Sequence, residues 1–547
     1  MYSTLYDMNS RCDILFVVPA TIPDISSESM GTLILAKIAR NNGYDAQILR
    51  YWEVEINISS YVDFAQKMTK KIIQKNPKVL SFYCRCAEYH ICIDIASKIK
   101  SRCKDIIISF GGPQAELVAF QTLTAFSFVD FVCCGEGETT IVPFLDIICK
   151  KKTSLSLKDI PGLVYREPNN VIKRNDSQEL LCDNYRRPFQ YYDLIPNIVL
   201  ENSKIFPIDV GRGCPFACTF CSTKTFWKRK YRLRNTDDII EEIIFLYKNY
   251  KVTIFSFEHD LFTVNKNRIA DFCQKLIDNK IKIYWGCSSR IDTIDEEMID
   301  LMYQAGLRYI YYGIETGSQK IQKQINKNID IQKCKVLVRY SVEKGINVTT
   351  SLIYGFPEET RNTFEDTLSL IYDFREMGVW YVQTHLLSIM NGTYYYNKYH
   401  DKLFLSDTIS NQNIFLGFSE LKPLIKSHPT IFPSFYDFYN KIRFELKCFH
   451  VFDRIWDFFP HTINNIFSYF KQLKKTKYDV YKLFLKNNGE TFVNKNYSDS
   501  NYMSELWCFH LLESFIKNLS LEIPDTIKFR EELLKEYDSF HKSDTVG

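Results

Sequence analysis

No apolar run in this 547-residue chain approaches the length needed to cross a bilayer. The first residues, Met-Tyr-Ser-Thr-Leu-Tyr-Asp-Met, lack the basic start and apolar stretch of a signal peptide. Charge of one sign is also missing: 69 Lys and Arg stand against 65 Asp and Glu, a net +4 that gives no argument for a nucleic acid or an anionic membrane as partner. The 17 cysteines are odd in number and without the regular spacing of a secreted disulfide framework. These absences together predict a cytoplasmic protein in a reducing compartment. What is present is ordinary in bulk, 46% apolar and 24% charged, but rich in rings, with 35 Tyr and 41 Phe. The length predicts about three domains.

Residues 1–150 alternate short apolar runs with helical periodicity. Strands are expected at Asp13–Pro19, Ala46–Tyr51, Val79–Tyr83, Asp105–Phe110 and Phe131–Cys133, with helices between them. That spacing predicts a doubly wound parallel sheet, which binds ligands beyond the carboxyl ends of its strands. Two glycine loops fall at such ends: Gly111-Gly112-Pro113-Gln114 and Gly135-Glu136-Gly137-Glu138-Thr139. Each alone is as readily a turn. Residues 151–200, with Lys150–Lys152, Pro161-Gly162, Pro168 and Pro188, read as a short hairpin and a linker.

Residues 201–400 show six further strand–helix repeats, beginning with strand Ile205–Val210 and ending with Trp380–Leu386, which predicts a partial or full parallel barrel. The first strand leads into Gly-Arg-Gly-Cys-Pro-Phe-Ala-Cys-Thr-Phe-Cys, carrying Cys214, Cys218 and Cys221. Three thiolates on one loop can hold a cuboidal iron–sulfur cluster with one iron left open. A zinc loop is the competing reading, but no second Cys-x-x-Cys half follows. Polar residues close the successive strands: His259-Asp260, Ser288-Ser289-Arg290, Glu315-Thr316 and Gly355–Thr360. Residues 401–547 have helical spacing, as in Trp456–Lys474 and Tyr502–Leu519, and are expected to pack as core and lid.

The cysteine spacing, with Phe220 before the last cysteine, resembles the radical S-adenosylmethionine (SAM) superfamily. The two glycine loops in their order, with Asp130-Phe131-Val132 between them, resemble the cobalamin-binding domain that precedes many of its members. The fold implied is α/β: a Rossmann-like cobalamin domain, a partial (β/α)6 barrel and a helical C-terminal region. The resemblance implies a [4Fe–4S] cluster on the three cysteines, whose open iron chelates SAM and cleaves it reductively to a 5′-deoxyadenosyl radical. It places Phe220 at the adenine, His259 and Asp260 at the amino group, and Ser288, Arg290 and Glu315 at the carboxylate or ribose. Gly355 would lie near the adenine, although Glu358 stands where the family usually has glycine. Gly111, Gly112, Pro113 and Gln114, with Gly135, Glu136, Gly137, Glu138 and Thr139, would line the cobalamin. The family's Asp-x-His-x-x-Gly signature is absent, and no His precedes His90, so no protein imidazole is implied below the cobalt.

The leading function is cobalamin-dependent C-methylation of a small molecule or peptide, with an electron donor such as flavodoxin or ferredoxin. Cyclisation, epimerisation or rearrangement with the same two front domains is the alternative. A methylthiotransferase fits less well, because the C-terminal region reads as helical and not as an RNA-binding β domain. A sensor without catalysis would leave the strand-end polar residues without a purpose.

Overall fold

The computed structural model describes residues 11–54, 60–149, 154–176, 180–181, 190–406, 416–493 and 504–543. Two compact units emerge, one of residues 1–310, 389–401 and 415–436, the other of 311–388, 402–414 and 437–547.

In the first unit, β1 (Ile14–Val18) is an unbroken apolar run and is buried along its whole length, as expected of a central parallel strand. β2 (Ala46–Arg50), β3 (Val79–Tyr83), β4 (Ile107–Gly111) and β5 (Phe131–Cys133) join it in the order β2-β1-β3-β4-β5, all parallel. Helices Met30–Asn41, Tyr61–Lys75 and Tyr89–Arg102 make the crossovers, the first capped by the Ser29 hydroxyl, which accepts from the Thr32 amide. The strand order reverses between β1 and β3, which opens a crevice beyond their carboxyl ends. The hairpin expected after residue 151 is β6 (Leu163–Arg166) and β7 (Ile172–Arg174), and it adds antiparallel to β5, extending the sheet to seven strands. Lys150–Lys152 and Pro188 lie outside the described residues.

The same unit continues with β8 (Phe206–Asp209), β9 (Gly211–Arg212), β10 (Arg232–Leu233), β11 (Ile254–Glu258) and β12 (Tyr284–Ser289). β8, β11 and β12 run parallel, separated by helices Thr236–Tyr250 and Lys266–Asp278. Trp285 stacks on Phe257 with centroids 4.9 Å apart, and Phe272 meets both rings edge-on, filling the space between strands and helices. Residues 389–401 and 416–436, although far along the chain, belong here. Phe432 and Phe435 pack against Tyr89 and His90, and the His90 Nε2 lies 2.9 Å from the Leu416 carbonyl oxygen.

The chain passes into the second unit along β13 (Leu307–Glu315). There β14 (Asn347–Tyr354) and β15 (Tyr381–Leu386) run parallel, joined by helix Arg361–Glu376. Among the described residues five α-helices follow, Arg443–Phe458, Pro460–Gln472, Lys477–Val493, Glu505–Glu522 and Lys528–Ser543. The continuous helix expected over Trp456–Lys474 is interrupted at Phe459, because Pro460 has no amide to donate and instead opens a new helix at its first position. No helix among the described residues is long and apolar enough to cross a membrane.

Candidate active site

The cysteine loop is shaped by its first strand. β9 and β10 form a two-residue antiparallel ladder, with Arg212 opposite Arg232 and Gly211 opposite Leu233. Gly213 follows with φ +92°, and a Cβ there would fall 2.0 Å from the Lys230 carbonyl oxygen, so no other residue can make this turn. The Gly213 amide donates to Asp260 Oδ2 at 2.7 Å, tying the loop to the end of β11. Cys214, Cys218 and Cys221 come next, all half-buried.

Burial pushes the Cys214 thiol up to about 11; the Phe216 amide opposes this, while the neighbouring Cys221 and Cys218 reinforce it. Both Cys218 and Cys221 thus act electrostatically on Cys214. Among the described residues no three His, Cys, Asp or Glu side chains stand close enough to hold a single bare ion. Arg290, at the end of β12, places Nη1 3.9 Å from the Cys218 sulfur and its guanidinium carbon 3.9 Å from the centre of the Phe216 ring. Its Nε and Nη2 grip the two carboxylate oxygens of Asp292 at 2.6 and 3.0 Å. A cation beside one cysteine of a half-buried three-cysteine loop fits an anionic cluster.

Other predicted residues have different engagements. His259 is buried, accepts from the Leu261 amide through Nδ1 and faces the Arg232 carbonyl oxygen through Nε2 at 3.0 Å. The ring is thus the neutral, Nε2-protonated form bracing β10, and neither nitrogen is left for an amino group. Asp260 is exposed and anchors Gly213. Phe220 and Ser288 are half-buried; the hydroxyl next to Ser288, that of Ser289, is buried against Thr263 at 2.8 Å.

The crevice loops lie in the same unit. Cys84 N donates to the Gly111 carbonyl and Gln114 N to the Cys84 carbonyl, so the loops after β3 and β4 are laced together. A Cβ on Gly112 would meet the Cys84 backbone at 3.0 Å, whereas one on Gly135 would meet nothing within 4 Å. Pro113 is exposed and opens the short helix Pro113–Leu117. The Gln114 amide is buried and donates to Asn391 Oδ1 and the Ile431 carbonyl, which engages it there instead of leaving it toward the crevice. Open space over Gly135, half-buried Gly111 and a crevice at the strand-order reversal fit a large flat ligand such as cobalamin, whereas a Cβ on Gly137 would meet Leu35 at 2.9 Å. His90, turned to Leu416, offers no imidazole to it.

Glu136 and Glu138 hold arginines from the cysteine loop. Arg212 donates to Glu136 Oε1 at 2.8 Å and Glu138 Oε1 at 2.5 Å, and Arg232 Nη1 reaches both oxygens of Glu136 at 2.9 and 3.0 Å. Burial would raise the Glu136 carboxyl, but the Arg232 bonds and the Arg212 charge outweigh it and hold it below the usual range. Thr139 is half-buried and ends the turn that starts at Gly137. Arg212 and Arg232 were not among the residues singled out from the sequence. The only local signal was an arginine between two glycines, two residues before the first cysteine.

Two predicted residues lie in the second unit. Glu315 ends β13 in the left-handed region, φ +75°, with Oε1 2.5 Å from Lys327 Nζ. Gly355 has φ +86°, and a Cβ there would lie 2.4 Å from Arg443 Nη1. Arg443 is buried and donates to the Gly355 and Leu387 carbonyls and to Asp437. Asn440 donates to the carbonyls of Phe356, Pro357 and Glu359, so the 355–360 loop is clasped by the start of the C-terminal helices. Glu359 accepts from the Gly355 amide, and burial raises its carboxyl to about 8. His385 on β15, not singled out from the sequence, is a half-buried imidazole whose burial lowers its pKa, with Glu315 acting against that.

Comparison with known proteins matches residues 208–371 to the Radical SAM superfamily and residues 26–145 to the B12 binding domain. The chain is 28% identical over 393 residues to the uncharacterized methyltransferase PH0819 of Pyrococcus horikoshii, covering 70% of this chain and 81% of that protein. It is 26% identical over 290 residues to the anaerobic magnesium-protoporphyrin IX monomethyl ester cyclase of Rubrivivax gelatinosus, spanning about half of each, 51%. Among solved structures, its fold is similar to the cobalamin-dependent SAM radical enzyme OxsB with aqua-cobalamin and SAM bound, at TM-score 0.66 and 14% identity over 99% of this chain and 82% of that one. The methyltransferase TsrM from Kitasatospora setae, with cobalamin and a [4Fe-4S] cluster bound, is similar at TM-score 0.58 and 14% identity over 72% and 75%.

Proposed function

We propose that this chain, which belongs to the radical SAM superfamily and carries a B12-binding domain ahead of its barrel, is a cobalamin-dependent enzyme that methylates an unactivated carbon of a small molecule or peptide. The observation that carries this reading is that the three-thiol loop and the glycine-lined crevice lie in one compact unit, joined by the Arg212–Glu138 ion pair. The methyltransferase name of PH0819, matched over 81% of its length, supports methyl transfer over the other outcomes of radical chemistry.

Cys214, Cys218 and Cys221 would hold the cluster, and the crevice loops after β3, β4 and β5 would hold cobalamin. With both in place, the cluster supplies single electrons to SAM and cobalamin carries the methyl group. The protein's own contributions follow from the geometry. Arg290 places positive charge beside Cys218. Asp260 and Gly213 fix the loop's path, and the buried ladder of β9 and β10 keeps the loop from rearranging. Gly135, with nothing within 4 Å of where a Cβ would sit, would bring backbone without a side chain up to the ligand. A cytoplasmic setting and a low-potential flavodoxin- or ferredoxin-like donor complete the proposal.

The test is anaerobic reconstitution with iron, sulfide and hydroxocobalamin, followed by reductant and SAM carrying a deuterated methyl group. Release of 5′-deoxyadenosine together with deuterated methylcobalamin supports the reading. Release of 5′-deoxyadenosine without any methylation of cobalamin points instead to ring-forming chemistry, and release of neither overturns it.

A further inference from the structure

Resting on the two-cofactor reading above, we infer that Glu136 and Glu138 act as positioning residues that couple the cobalamin crevice to the cysteine loop through Arg212 and Arg232. The ladder of β9 and β10 sets Arg212 directly across from Arg232. Like charges opposite each other in a two-residue ladder would drive it apart, and both guanidiniums are largely removed from water. The Glu136 carboxylate lies between them and receives from both, at 2.8 Å from Arg212 and at 2.9 and 3.0 Å from Arg232. Glu138 takes the second nitrogen of Arg212 at 2.5 Å. Trp227, from the stretch between the cysteines and β10, lies beneath both guanidiniums at 6.0 and 5.3 Å.

The arrangement is directional. Arg212 is separated from Cys214 by Gly213 alone, and a planar fork holds its angle more strictly than a point charge does. Glu136 and Glu138 flank Gly137 on the loop that closes the crevice after β5, where the space over Gly135 is open. A ligand that settles against this loop moves or stiffens the carboxylates, and the Arg212 fork carries that change to the cysteines. Glu136 has little capacity left for a ligand, since Oε2 also accepts from the Leu181 amide at 2.6 Å. The role differs from the direct cofactor contact that the sequence resemblance implies.

Coupling of this kind is reciprocal, so the cluster must tighten cobalamin binding by the factor that cobalamin tightens the cluster. The experiment is a hydroxocobalamin absorbance titration of the full chain, with and without reconstituted cluster. The wild type is expected to bind about tenfold more tightly with the cluster. In Glu138→Gln, and in Arg212→Lys, which keeps charge but loses the fork, the ratio is expected to fall below about twofold, with iron content per chain retained. A readout free of variants is hydrogen exchange in the cluster-free wild type: hydroxocobalamin should slow the amides of residues 211–214 and 232–233. A ratio near one in the wild type, an unchanged ratio in both variants, or unaltered exchange overturns the inference while leaving the two-cofactor reading intact. Failure of every form to bind hydroxocobalamin overturns both.

Discussion

Arg290 Nη1 stands 3.9 Å from the Cys218 sulfur, and the same side chain is locked by a two-point grip on Asp292. A fixed cation at this distance favours the more negative, reduced state of whatever the sulfur ligates. Arg290→Gln is therefore expected to keep its iron but to lower the cluster's reduction potential, with SAM cleavage slowed about tenfold or more. A potential titration followed by electron paramagnetic resonance checks this, and an unchanged potential would show that the charge is not felt.

Asp260 is expected to keep the cysteine loop in register. Its bond from the Gly213 amide is charge-assisted, and losing such a bond costs about 1.5–3 kcal/mol. In Asp260→Ala, iron should pass to a chelator several-fold faster than in the wild type, read from the absorbance of the chelate.

Glu359 predicts an unusual pH dependence. Burial raises its carboxyl to about 8 in the folded protein, above its ordinary value, so the folded state binds the proton more tightly. The corresponding stability is complete below the ordinary carboxylate range and is lost as pH rises through about 8. Glu359→Gln keeps a carbonyl for the Gly355 amide and removes the titration. Its melting temperature should match the wild type near pH 4 and exceed it at pH 8.5, and equal melting at both pH values would falsify this assignment.

Gly355→Ala meets two obstacles at once: a φ of +86° and a Cβ 2.4 Å from Arg443 Nη1. The backbone strain alone costs about 1–3 kcal/mol, and the Arg443 hydrogen bonds to the Gly355 and Leu387 carbonyls would be displaced as well. A lower denaturant midpoint is expected, whereas Gly345→Ala, equally left-handed but with nothing within 4 Å, should lose less.

Much of the fold was written locally. The apolar run at Ile14–Val18 and the alternation that follows determine a parallel sheet, because each strand carries its own burial pattern. The three cysteines stand out in the sequence because their spacing is itself the chemical signal. Glu136 and Glu138 were read as cofactor contacts because their arginine partners lie more than 70 residues away, and no local pattern reports an ion pair across that separation. The same holds for Gln114, whose amide partners Asn391 and Ile431 lie more than 270 residues away. His259 looked like a free strand-end imidazole, and only the β10 carbonyl and the Leu261 amide reveal it as a brace.

The account depends on three thiols holding an iron–sulfur cluster that leaves one iron open. The most direct measurement is the electron paramagnetic resonance spectrum of the reduced, anaerobically reconstituted protein before and after SAM is added. A cluster signal that shifts with SAM, and that is missing from Cys218→Ala, is the predicted result. Zinc in place of iron, or a signal indifferent to SAM, would contradict it.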